Sequence, residues 1–126
     1  GSAVYAGIPL THRKYSSSVV FVTGHEDPGK TKDAVRWKQL AKSVETIVIM
    51  MGLSRIGVIS KSLIAGGLPK STPVAIIQNG TTENHRLVIG TLSNIEQKIK
   101  QNKITPPSII IIGNVVKLHK TVGWRK

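Results

Sequence analysis

The chain has 126 residues, enough for one domain with a real core, and its 40% hydrophobic but only 4% aromatic content means that aliphatic side chains must fill that core. It has no cysteine, which excludes disulfides, zinc–thiolate sites and thiol catalysis and fits a reducing, cytoplasmic setting. With 18 Lys and Arg against 6 Asp and Glu, the net charge is +12 and spread along the chain, so a basic folded surface and a polyanionic partner are expected: nucleic acid, an acidic membrane surface, or a small polycarboxylate or polyphosphate. No apolar run approaches the roughly 20 residues needed to span a bilayer.

Residues 19–23 (VVFVT) read as a short buried strand ended by Gly24, with Thr11, His12 and Arg13 before it and Thr23, Gly24 and His25 at its end. Polar groups at the carboxyl end of a buried strand fit the place where α/β proteins bind ligands. The string Gly24-His-Glu-Asp-Pro-Gly29-Lys30-Thr31 matches the phosphate-loop pattern GxxxxGK[ST]. Against that reading, Pro28 lacks an N–H, Glu26 and Asp27 put negative charge where phosphate would sit, and no later strand ends in a magnesium-binding Asp.

Residues 31–44 read as a helix with Asp33 as N-cap and an apolar face of Trp37, Leu40, Ala41 and Val44. Residues 46–50 (TIVIM) are a second buried strand, running through Met51-Gly52 into a helix over 53–65 with a stripe of Ile56, Ile59 and Leu63 and a glycine stop at Gly66-Gly67. Pro73 opens a third strand over 74–77, and Gln78-Asn79-Gly80-Thr81-Thr82 follows at its carboxyl end. There Asn-Gly reads either as a tight hairpin turn or as a loop whose backbone holds a ligand's polar edge. A fourth strand over 86–91 and a short helix over 94–102 come next. Residues 108–113 (SIIIIG) are the most apolar strand and belong at the centre of the sheet. Residues 115–124 form a basic tail that would add an edge. Alternating strands and helices predict a single two-layer α/β domain with a mixed, mostly five-stranded sheet. Three loops with ligand-binding chemistry then sit at strand ends: Gly24-His25, Met51-Gly52 and Asn79-Gly80.

Six strings, AGIPLTHR, TGHE, MMGL, TPVAIIQNGT, GTL and PPSIIIIGNVV, stand in this order across residues 5–118. In register they resemble the C-terminal half of the uroporphyrinogen-III C-methyltransferases of the tetrapyrrole methylase family. The resemblance implies that residues 1–126 are the family's second domain and that the N-terminal cofactor and catalytic domain lies outside this chain. It implies S-adenosyl-L-methionine as cofactor, uroporphyrinogen III as substrate, precorrin-2 as product on the way to sirohaem and cobalamin, and a homodimer. By the same resemblance Met51, Gly52, Ala75, Asn79, Gly80 and Thr81 would contact the cofactor, and Thr11, Arg13 and His25 the tetrapyrrole. Catalytic acid and base residues would belong to the other half. Met50 stands where the family commonly has tyrosine, and the phosphate-loop match becomes a coincidence. No cluster of His or carboxylates has metal-ligand spacing.

The charge fits this reading, because a macrocycle ringed with carboxylates gives basic side chains a partner. The alternatives are another member of the tetrapyrrole methylases or a basic nucleic-acid-binding module. Few interleaved aromatics and no RNA-binding signature argue against a nucleic-acid partner.

Overall fold

The computed structural model describes residues 18–24, 36–78 and 86–119. Five strands, β1 (Val19–Thr23), β2 (Thr46–Met50), β3 (Pro73–Gln78), β4 (Arg86–Thr91) and β5 (Ser108–Ile112), form one sheet in the order β1-β2-β5-β3-β4. β1 and β2 are parallel, and β5 runs antiparallel to both of its neighbours, β2 and β3. β4 is antiparallel to β3. Strands β1, β2 and β3 therefore point the same way and finish at one edge of the sheet, where β4 and β5 begin.

Three helices, α1 (Trp37–Ser43), α2 (Ile56–Ala65) and α3 (Ile95–Gln101), cover one face, and the period-2 alternation of the strands explains how. Ile47, Ile49, Val74, Ile76, Ile110 and Ile112 point to the helices and meet Trp37, Ile56, Ile59, Leu63, Ile95 and Ile99 in one core cluster. The opposite residues, Val48, Ala75, Ile77 and Ile111, form a second cluster on the other face with Val115 and Val116. β5 is apolar on both faces because both faces are covered, and it lies in the middle of the sheet, as its composition predicts. Truncating such a position, for example Ile110→Ala, costs about 2–5 kcal/mol.

Several sequence expectations need correction. β1 is an edge strand, not a buried one, and Phe21 is 56% exposed. The predicted helix over 31–44 is not continuous, since Arg36 has φ −94° and ψ 79° and helical geometry starts at Trp37; Asp33 lies outside the described residues. The first turn after Gly52 is a 3₁₀ helix, η1 (Leu53–Arg55), leading into α2. β3 and β4 do pair as an antiparallel hairpin, with Gln78 opposite Arg86, while Asn79 and Gly80 lie outside the described residues. Among the described residues after β5 there is no edge strand. Gly113, at φ 144°, turns the chain into a second 3₁₀ helix, η2 (Asn114–His119), which lays Val115 and Val116 over the second face of the sheet.

Candidate functional site at the sheet edge

The edge where β1, β2 and β3 end is built around two glycines. The Gly24 N–H donates to the Met50 carbonyl at 2.8 Å, continuing the β1–β2 ladder one residue past the strands. A Cβ on Gly24 would lie 2.5 Å from the Gly52 Cα, and a Cβ on Gly52 would lie 2.5 Å from Ile49 Cγ2. The two turns can nest only because neither residue has a side chain. The Gly24 amide is thereby committed to a protein carbonyl, which leaves the first glycine of the phosphate-loop pattern without the donor such a loop needs.

Between these buried glycines Met51 is held at φ 57° and is 65% exposed. The left-handed region costs an ordinary residue roughly 1–2 kcal/mol, so its occupation by methionine marks a strained turn. Gly52 starts η1, and its carbonyl accepts the Arg55 N–H at 3.1 Å. Met50 lies on the second face of the sheet and is 43% exposed. With Phe21 it gives this end of β1 and β2 an apolar exposed surface, a feature that the strand composition alone did not separate from core.

On the other side of the edge, the stem of the 79–85 segment is clamped. Gln78 and Arg86 are register partners. Gln78 Oε1 accepts the Thr105 N–H at 3.0 Å, and Arg86 Nη1 donates to the Asn102 carbonyl at 2.7 Å. Both bonds tie the stem to the linker between α3 and β5. The sheet thus delivers the Gly24 turn, the Met51-Gly52 turn and the stem of residues 79–85 to one edge, in the order β1, β2, β3 with the start of β5 between the last two.

Ala75 lies lower. It is fully buried in the middle of β3, facing the second cluster, and pairs in register with Ile89 and Ile111. Thr11, Arg13, His25, Asn79, Gly80 and Thr81 lie outside the described residues. A cavity of about 280 Å³ opens at the opposite edge, lined by Val44, Glu45, Leu68, Ser71, Thr72 and Lys117 among others, and it contains none of the predicted site residues.

Comparison with known proteins points the same way. The family model for Tetrapyrrole (Corrin/Porphyrin) Methylases matches residues 1–96. A siroheme synthase of Nitrosomonas europaea is 48% identical over 124 residues, which is 98% of this chain and 26% of that protein. An S-adenosyl-L-methionine-dependent uroporphyrinogen III methyltransferase of Methanosarcina barkeri is 44% identical over 122 residues, 97% of this chain and 48% of that protein. The crystal structure of uroporphyrin-III C-methyl transferase from Thermus thermophilus complexed with S-adenyl homocysteine superimposes with a TM-score of 0.76 at 28% identity, covering 92% of this chain and 48% of that one. A cobalt precorrin-4 methyltransferase shares the fold, with a TM-score of 0.79 at 18% identity over 91% of this chain and 48% of that one. The chain spans from about a quarter to about half the length of these relatives. The architecture, the edge and the sequence matches converge on one assignment: the chain belongs to the tetrapyrrole (corrin/porphyrin) methylases.

Proposed function

We propose that the chain is the C-terminal lobe of an S-adenosylmethionine-dependent uroporphyrinogen III C-methyltransferase, working on the route to precorrin-2 that feeds sirohaem and cobalamin. The carrying observation is Met51, strained at φ 57° and exposed at the end of β2, on the same edge as the stem of residues 79–85. Strained backbone clusters at ligand sites, and at Met51 the packed Gly24–Gly52 pair beside it holds the turn in place. The relatives support the cofactor: one is an S-adenosyl-L-methionine-dependent methyltransferase, and one solved neighbour is complexed with S-adenyl homocysteine.

The residues present fit a sulfonium nucleoside. The Met51 thioether offers a polarisable, apolar contact, and the side-chain-free Gly24–Gly52 pair fixes where it projects. In this reading Gly52 and the backbone of Asn79, Gly80 and Thr81 hold the nucleoside's polar edge. Ala75, on the strand that leads to them, lines the site with a small side chain. Thr11, Arg13 and His25 meet the carboxylates of the tetrapyrrole, where Arg makes charge-assisted, geometrically fixed contacts. When bound, S-adenosylmethionine supplies an electrophilic methyl on a positively charged sulfur. The protein's own contribution is alignment of the two partners and exclusion of water. The acid and base residues belong to an N-terminal half, and the complete enzyme is a cytoplasmic homodimer.

Calorimetry and a radiolabelled methyl assay test this reading. The 126-residue chain is expected to bind S-adenosylhomocysteine weakly and to show no turnover of uroporphyrinogen III. Full turnover by the chain alone would overturn its assignment as one lobe. An absence of any heat with S-adenosylhomocysteine would overturn the cofactor edge.

A further inference from the structure

The two outer strands of the sheet are finished differently. Pro73 gives its carbonyl to the Gly113 N–H, so Pro73, Ala75 and Ile77 face β5, and their register partners on β4, Thr91, Ile89 and Leu87, face outward. Side chains guard that border. Lys98 Nζ donates to the Ile89 carbonyl at 3.0 Å, and Asn94 Oδ1 accepts the Thr91 N–H at 2.8 Å. A lysine on an outer strand also discourages pairing with another chain. β1 has no such guard. The Ser18 carbonyl accepts the Thr46 N–H at 3.2 Å and the Gly24 N–H donates to the Met50 carbonyl at 2.8 Å. The even-numbered residues therefore bond β2, while Val19, Phe21 and Thr23 turn their N–H and C=O groups outward. Thr23 already has a partner. The backbone groups of Val19 and Phe21 have none among the described residues. The strand, VVFVT, carries no charge in a chain of net charge +12, and Phe21 at its centre is 56% exposed.

We propose that two copies of the chain pair through the outer side of β1, antiparallel, about a two-fold axis at Val20. The register follows from the open groups. With Val20 opposite the partner's Val20, Val19 stands opposite the partner's Phe21 and Phe21 opposite the partner's Val19. Each of these is a hydrogen-bonded pair that exchanges two N–H···O=C bonds, so all four open groups of each copy are satisfied. An axis at Phe21 or Val22 would need the groups of Thr23, which is already engaged. On the second face of the sheet the same register lays the partner's Val19 beside Phe21. This aromatic–β-branched cross-strand pair takes the exposed ring out of water. A second copy is the occupant because the strand is its own complement, and β1 has no charged side chain with which to select another partner. The seam is independent of what the ligand edge binds, and it assigns a surface to the homodimer of the proposed function.

Analytical ultracentrifugation and single-cysteine cross-linking test this. One short strand makes a small interface, so the expected Kd is on the order of 0.1–1 mM. The association is expected to tighten about two- to fivefold between roughly 50 and 500 mM salt, since an uncharged seam joins two chains of +12 that repel each other. Val19→Pro removes an outward N–H and no bond to β2. It is expected to keep the fold by circular dichroism and to weaken self-association more than about tenfold. Phe21→Lys also keeps the β1–β2 ladder and is expected to act the same way. The chain has no cysteine, so Val20→Cys puts one thiol on the axis, with its Cα about 4.5 Å from its mate and within disulfide reach. A disulfide-linked dimer is expected on mild oxidation. In Val22→Cys the two Cα atoms lie about 13 Å apart, and no link is expected. S-adenosylhomocysteine binding by Val19→Pro is expected to be unchanged, so loss of the seam and loss of the cofactor edge are told apart. The seam would be overturned by a chain that stays monomeric up to about 2 mM. Undiminished association of Val19→Pro and Phe21→Lys, or cross-linking through Val22→Cys but not Val20→Cys, would overturn it equally.

Discussion

Gly24 and Gly52 touch backbone to backbone: a Cβ on the first would lie 2.5 Å from the Cα of the second. The obstacle is main chain, which cannot swing aside as a flexible side chain could. Gly24→Ala is therefore expected to push the Met51 turn outward and to cost about 1–3 kcal/mol of stability, as overpacking does. Thermal unfolding followed by circular dichroism checks the loss. The same variant is expected to weaken S-adenosylhomocysteine binding in calorimetry. An unchanged melting temperature would mean that the two turns are not held together.

Met51→Gly separates strain from use. Glycine occupies φ 57° without steric cost, and this gain exceeds the extra freedom it brings to the unfolded chain. The variant is expected to gain about 0.5–1 kcal/mol while its affinity for S-adenosylhomocysteine falls. A more stable protein with undiminished affinity would take the side chain out of the site.

Lys103 is the matched control. It is the other described non-glycine residue at positive φ, 52°, and it ends α3. The Ile104 N–H donates to the Ile99 carbonyl at 3.1 Å and the Lys103 N–H to the Lys100 carbonyl at 3.3 Å. Leu68 and Gly67 make the same pair of bonds at the end of α2, with glycine at φ 117° in the left-handed position. Lys103→Gly is expected to add about 1 kcal/mol without altering ligand affinity. Denaturant midpoints at constant m-value give the comparison.

The Ser60 hydroxyl, on α2, is buried and has no hydrogen-bond partner. A buried hydroxyl without a partner carries its desolvation penalty uncompensated, and alanine is the better helix former. Ser60→Ala is expected to stabilise the domain by about 1 kcal/mol. A destabilised variant would mean that the hydroxyl is satisfied in solution.

Strand positions and helix faces were legible because they follow local pattern. SIIII can be buried on two faces only in the middle of a sheet, and Ile56, Ile59 and Leu63 repeat at helical spacing. The insertion of β5 between β2 and β3 was not legible, since nothing in β2 or β3 names its partner and the pairing closes long stretches of chain. Residues 115–124 read as a basic tail that would add an edge. The turn at Gly113 and the apolar second face that Val115 and Val116 pack on give residues 114–119 a 3₁₀ helix instead. The convergence of Gly24, Met51 and Gly52 at one edge followed from the strand order of events along the chain. The strain at Met51 did not, because methionine carries no turn signal of the kind that glycine or asparagine does. The exposure of Phe21 was hidden for a related reason: composition cannot tell an edge strand from a central one.

The central claim is that the edge carrying Gly24, Met51 and Gly52 receives the S-adenosyl nucleoside. Amide-resolved NMR of the chain during titration with S-adenosylhomocysteine tests it most directly. The account predicts saturable shifts at Gly24, Met51, Gly52 and Leu53, with Lys61, Lys70 and Lys117 unmoved. Shifts confined to the opposite edge, around Ser71, Thr72 and Lys117, or no shifts at any concentration, would contradict it.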